Sequence, residues 1–135
     1  MKKLVQIILG ATLALFITGC SSSPGATAEN FFNALLSGNV EDIKKYSTQS
    51  TQKLFINGFA LKCGVNANNE DGLSKCIKKQ FSKFTSCEIT KEEISENNPN
   101  SASVSLKEYK KDGTSISETL NLIKKDGDWK VNATK

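Results

Sequence analysis

Apolar residues recur along the chain in two periods, and the change between them falls near Cys87. From Thr27 to Leu36, the positions Ala28, Phe31, Phe32, Leu35 and Leu36 return at helical spacing, and Gly38 follows as the permissive residue expected just past a helix end. Asn39 then reads as the cap of a second, shorter helix, with Glu41 and Asp42 in its first turn, Lys44 and Lys45 in its last, and Val40 and Ile43 turned inward. A third helix is expected from near Ser50 to Gly64, carrying Leu54, Phe55, Phe59 and Leu61. Asp71 is the expected cap of a fourth, whose stripe of Leu73, Cys76, Ile77, Phe81 and Phe84 reads most simply as core.

Beyond Cys87 the period is two. Cys87 and Ile89 alternate with polar residues, followed by Ala102, Val104 and Leu106, then Ile116, Leu120 and Leu122, then Trp129 and Val131. The breaks are legible as well: "NNPN" at 97–100 is a turn, and each of the two "KKDG" segments presents an Asp-Gly pair suited to a type I′ hairpin tip. Helices followed by an antiparallel meander predict an α+β domain in which the helices cover one face of the sheet.

The start of the chain follows neither pattern. Lys2 and Lys3 precede an apolar stretch from Leu4 to Thr18. As a helix it would rise only about 22 Å, short of the roughly 30 Å hydrocarbon core, which favours a cleaved signal over a membrane span. Its end, Ile17, Thr18, Gly19 and Cys20, resembles the lipobox of bacterial lipoprotein signal peptides. That resemblance implies cleavage after Gly19, a diacylglyceryl group on the Cys20 thiol and an acylated new amine. The expected organisation is a signal peptide over 1–19, a lipidated cysteine and polar tether over 20–25, and one domain over 26–135. Ser21, where an aspartate would resemble an inner-membrane retention signal, makes outer-membrane delivery the default in a cell with two membranes.

Charge narrows the partners. Removing Lys2 and Lys3 lowers the 18 basic residues to 16 against 14 acidic ones, a net charge of +2. The chain has no arginine, so nothing in this near balance marks a nucleic-acid surface. The Asn-, Asp- and Glu-bearing loop "GVNANNEDG" suggests calcium, but Gly72 is out of register for an EF-hand and no bidentate glutamate follows. No metal and no cofactor is expected.

A lipobox, helices beginning "ATAENFFNALLSGNVEDIKKY" and a meander closing "LNLIKKDGDWKVN" together resemble the small DUF4878-type lipoproteins of the nuclear transport factor 2-like (cystatin-like) superfamily. The resemblance covers most of residues 26–132 and implies a curved sheet wrapped around helices into a cone. Two cysteines around the 64–72 loop depart from the pattern.

With Cys20 as the anchor, three cysteines remain, and an exported domain sits where disulfides persist. Cys63 at the end of the third helix and Cys76 in the second turn of the fourth come together if the two helices pack antiparallel, so a Cys63–Cys76 bridge and a free Cys87 are expected. A nucleophilic Cys87 would lack a histidine base, since the chain contains none. The same absence removes Ser-His arrangements and most zinc sites. Glu118 stands in phase with Ile116, Leu120 and Leu122, which gives it two readings: an inward carboxylate that binds ligand or acts as a base of raised pKa, or a group at the open rim that reaches water. Tyr109 falls on the opposite, polar face.

Two classes of function follow. One is a lipid-anchored, non-enzymatic binding or accessory module of the cell envelope, with the membrane as one partner and an envelope protein or small apolar ligand as another. The other is an isomerase-like enzyme that uses the cone cavity with Glu118 as base.

Overall fold

In the computed structural model, residues 22–133 are described. The signal segment and Cys20 lie outside them. Four helices, α1 (Pro24–Ser37), α2 (Val40–Lys45), α3 (Gln49–Cys63) and α4 (Glu70–Gln80), precede four strands, β1 (Phe84–Ile94), β2 (Ser101–Lys110), β3 (Ser115–Lys125) and β4 (Asp128–Val131). The strands form one antiparallel sheet in the order β1-β2-β3-β4. Two irregularities in β1, at Thr85 and Thr90, shift its register against β2 and add to the curl of the sheet. The result is an α+β half-barrel with the helices inside the curve. Among the described residues, no helix is long and apolar enough to cross a membrane.

The first helix starts three residues earlier than its apolar spacing suggests. Ser23 is the cap, its Oγ accepting from Ala26 N at 3.1 Å, and Pro24 supplies a preset φ in the first turn. Pro24 and Gly25 are buried in this helix, so the polar tether expected over 20–25 gives up its last two residues to the domain. Gly38 ends α1 at φ 69°, where an added Cβ would run into the carbonyl oxygen of Ser74 on α4. The fourth helix is capped by Asn69, whose Oδ1 accepts from Gly72 N at 3.0 Å. Asp71, the expected cap, instead pairs with Lys75 at 3.4 Å. That helix stops at Gln80, so Phe81 is its C-cap and Phe84 opens the first strand, three residues ahead of the change of period at Cys87.

The hairpins differ from each other. Asp126 and Gly127 both have positive φ, 53° and 87°, as a type I′ turn requires. At the β2–β3 tip only Gly113 does, with φ 91°. There the Asp112 carboxylate accepts from Thr114 N at 2.9 Å and Thr114 Oγ1 at 2.6 Å, and the ladder closes one residue wider through Lys110 N to Thr114 O at 2.8 Å.

The core lies between α1 and the concave face. Ala28, Phe31 and Leu35 of α1, Ile43 of α2, and Leu73 and Ile77 of α4 meet Val104, Leu106, Leu122 and Val131 of the sheet. A chain of ring contacts runs from Phe31 through Phe55, Phe59, Phe81 and Phe84 to Phe32, with centroids 5.6–6.1 Å apart. The C-terminal end is clasped to the α2–α3 corner: Thr48 N donates to Val131 O at 2.9 Å, Val131 N to Tyr46 O at 2.8 Å, and Ala133 N to Thr51 Oγ1 at 2.8 Å.

Candidate functional site

Strand alternation places Ala102, Val104, Leu106 and Glu108 of β2 on the concave face, and all four are buried. Glu108 therefore occupies the position two residues beyond Leu106 that an apolar side chain would ordinarily take, and it is only 6% exposed. Its register neighbours are Cys87 on β1 and Ile116 on β3, while Glu118 lies opposite Leu106, on the diagonal from Glu108. The helices stop short of this margin. Ile116 is 42% exposed, and Glu118 reaches water although its side of the strand faces inward.

The Glu118 carboxyl is within hydrogen-bonding reach of the Glu108 carboxyl, and protonated Glu108 can bond to it. Burial, that bond and the negative charge of Glu118 push the Glu108 carboxyl up to about 8, so at neutral pH Glu108 keeps a proton that it donates to Glu118. Burial and the charges of Glu29 and Glu108 push the Cys87 thiol up to about 11. A thiol held so strongly in its protonated form is a poor nucleophile. Tyr109, the tyrosine of this strand, points to the opposite face and donates to Glu88 Oε1 at 2.7 Å. That bond and the Glu88 charge raise its phenol above the ordinary range.

The buried carboxyl is thus Glu108, while Glu118, the inward candidate by its spacing, lies exposed beside it. The signal for Glu108 was the unbroken alternation from Ala102 to Leu106, which puts residue 108 inside whatever its polarity. Cys63 and Cys76 are disulfide-bonded, with Cα atoms 6.2 Å apart, and Cys87 is free and half-buried.

Several hollows mark the surface. One runs along the outer side of α3, where Gly58 opens a shallow space beside Leu54, Phe59 and Lys62. Another lies where the described chain begins, with Ser22, Lys45, Tyr46, Trp129 and Lys130 around it. Lys130 Nζ donates to the Lys45 carbonyl there at 2.6 Å.

Helices inside a curled antiparallel sheet define a nuclear transport factor 2-like α+β cone. A crystal structure from Campylobacter jejuni, provisionally described as an NTF2-like transpeptidase, superposes on it with a TM-score of 0.57 at 21% identity, covering 84% of this chain and 100% of that one. Residues 18–132 match the family "Domain of unknown function (DUF4878)", and the chain belongs to that family. No curated protein sequence matches it.

Proposed function

We propose that the protein is a lipid-anchored lipoprotein of the cell envelope, and that its domain is a non-enzymatic binding or accessory module. The observation that carries this reading is the junction at Cys20. A basic and apolar leader ends in Ile17-Thr18-Gly19-Cys20, and the capped helix begins at Pro24, so the anchor is followed almost at once by the folded domain. The family match starts at residue 18 and takes in Cys20. The Cys63–Cys76 disulfide suits an exported domain. Ser21 directs the lipoprotein to the outer membrane where the cell has one.

The concave face supports the non-enzymatic half of the reading. Its buried carboxyl is tied to a second carboxyl, and its thiol is held protonated. Metabolic labelling with a fatty-acid analogue tests the anchor: the wild-type chain takes up label, and Cys20→Ala takes up none and stays uncleaved after Gly19. Equal labelling of the two chains would refute it.

One observation favours a second reading. Glu118 sits at an open margin beside Ile116, where a small apolar molecule could lie against a carboxylate, as an isomerase-like activity requires. Unchanged ligand binding and turnover in a stably folded Glu118→Gln variant would reject it.

A further inference from the structure

The outer face of α3 is apolar and uncovered. Leu61 is 86% exposed and Leu54 55%, two turns apart on one helical face, with Gly58 between them. The helix buries only Thr51 and Ala60 fully, turning half-buried Phe55 and Phe59 inward to the ring chain and the two leucines outward. Its charges are Lys53 and Lys62, and no acidic side chain lines the hollow beside Gly58 or a second, shallower one along the same face between Ser50, Lys53, Asn57 and Leu61. Exposed leucines whose charged neighbours on the helix are lysines make an interfacial surface, in which the apolar groups enter the acyl boundary and the ammonium groups meet phosphates.

We infer that this face lies on an anionic phospholipid bilayer. The inference rests on the anchor proposed above. Ser22 shares a hollow with Lys45 and Tyr46, two residues before the α3 cap Thr48, so the chain emerges at the end of the molecule where α3 starts. Three residues span at most about 10 Å, so an acylated Cys20 holds the start of α3 close to the headgroups. A second copy of the chain fits this face poorly. A 15-residue helix presents a strip about 22 Å long and 10 Å wide, far below the roughly 800 Å² per partner of a stable interface, and a two-fold pairing would set Lys53 and Lys62 against like charges. A bilayer sets no such threshold, because the anchor makes the contact intramolecular.

Photocrosslinking in cells with the full chain tests this. p-Benzoylphenylalanine is placed at Leu54 or Leu61, and at Ser117 on the exposed convex face as a control, and mature chains are weighed after irradiation. Phospholipid adducts are expected at 54 and 61 and not at 117. Lys53→Glu with Lys62→Glu should lower the adduct yield at 61 at least about fivefold. Adducts to a second copy or another protein, equal lipid labelling at 117, or indifference to the charge reversal would overturn the inference. The N-terminal mass separates the two readings. An unacylated N-terminus overturns anchor and orientation together, whereas an acylated chain that does not label at 54 and 61 overturns the orientation alone.

Discussion

Replacing Glu108 with glutamine should abolish a loss of stability that the wild-type protein suffers as pH rises. In the fold its carboxyl is pushed up from 4.5 to about 8 by burial and by the Glu118 bond and charge. The native state therefore holds one more proton than the unfolded chain between those values. A raised folded pKa gives stability that is complete below the unfolded pKa and disappears as pH climbs through the folded one. The slope is about 1.4 kcal/mol per pH unit, which caps the loss at about 5 kcal/mol. Water at the exposed Glu118 screens the pair, so a loss of about 2–3 kcal/mol is expected by about pH 9. The chain has no histidine, so up to about pH 8, below the range in which the Cys87 thiol ionises in the unfolded chain, no other side chain of ordinary pKa titrates near neutrality. Urea unfolding at several pH values between about 5 and 9 should show the wild-type midpoint falling by roughly 1–2 M. The Glu108→Gln midpoint should stay level up to about pH 8, because the amide donates to Glu118 without titrating; above that, Cys87 adds the same fall to both chains. A wild-type midpoint that stays flat or rises, or a variant with the same slope, refutes the reasoning.

Three further outcomes are expected. Reducing the Cys63–Cys76 bridge, which spans 13 positions, should cost about 3 kcal/mol in chemical unfolding and speed hydrogen exchange in α3 more than in β2. Gly38→Ala should cost about 2 kcal/mol, since φ 69° and the Ser74 carbonyl both oppose a Cβ, and calorimetry should show the thermal midpoint lowered by about 8 °C or more. Cys87 should alkylate roughly a hundredfold more slowly in the folded protein at neutral pH than in urea, with the rate rising toward a thiol pKa of about 11; comparable rates in both states would remove the burial argument.

The elements of this domain were legible where one local signal dominated. Ala28, Phe31, Phe32 and Leu35 all face the core as their spacing requires, and so do Val104, Leu106, Leu122 and Val131. Ends were harder, because a cap is decided by competing side chains: Asn69 and Asp71 are both good caps, and the one left over took Lys75. The Phe81 and Phe84 stripe misled for a similar reason. Both rings join the same aromatic chain, but one from a helix cap and the other from a strand, and spacing alone cannot tell these apart. The carboxyl pair was half legible. Glu118 stood out among apolar neighbours, whereas Glu108, a charged residue one step past the apolar run, had only the alternation from Ala102 to Leu106 to mark it as buried.

Weak burial of α3 links the disulfide to the surface it presents. A helix that buries only Thr51 and Ala60, with Phe55, Ile56 and Phe59 packed in part, is held less by burial than α1 is, so the attachments at its ends matter more. At one end Thr48 and Thr51 are bonded to residues 131–133 of the C-terminal segment, and at the other Cys63 is bonded to Cys76 of α4. Fastened in this way, the helix can keep Leu54 and Leu61 outside, where packing would otherwise have drawn them in. Their exposure costs the isolated domain solubility, a cost that has a structural reason only if something apolar meets that face. A soluble chain stripped of its leader should therefore bind an apolar fluorescent probe at α3, and Leu54→Ser with Leu61→Ser should abolish that signal at unchanged stability. Equal probe binding by the double variant would place the sticky surface elsewhere.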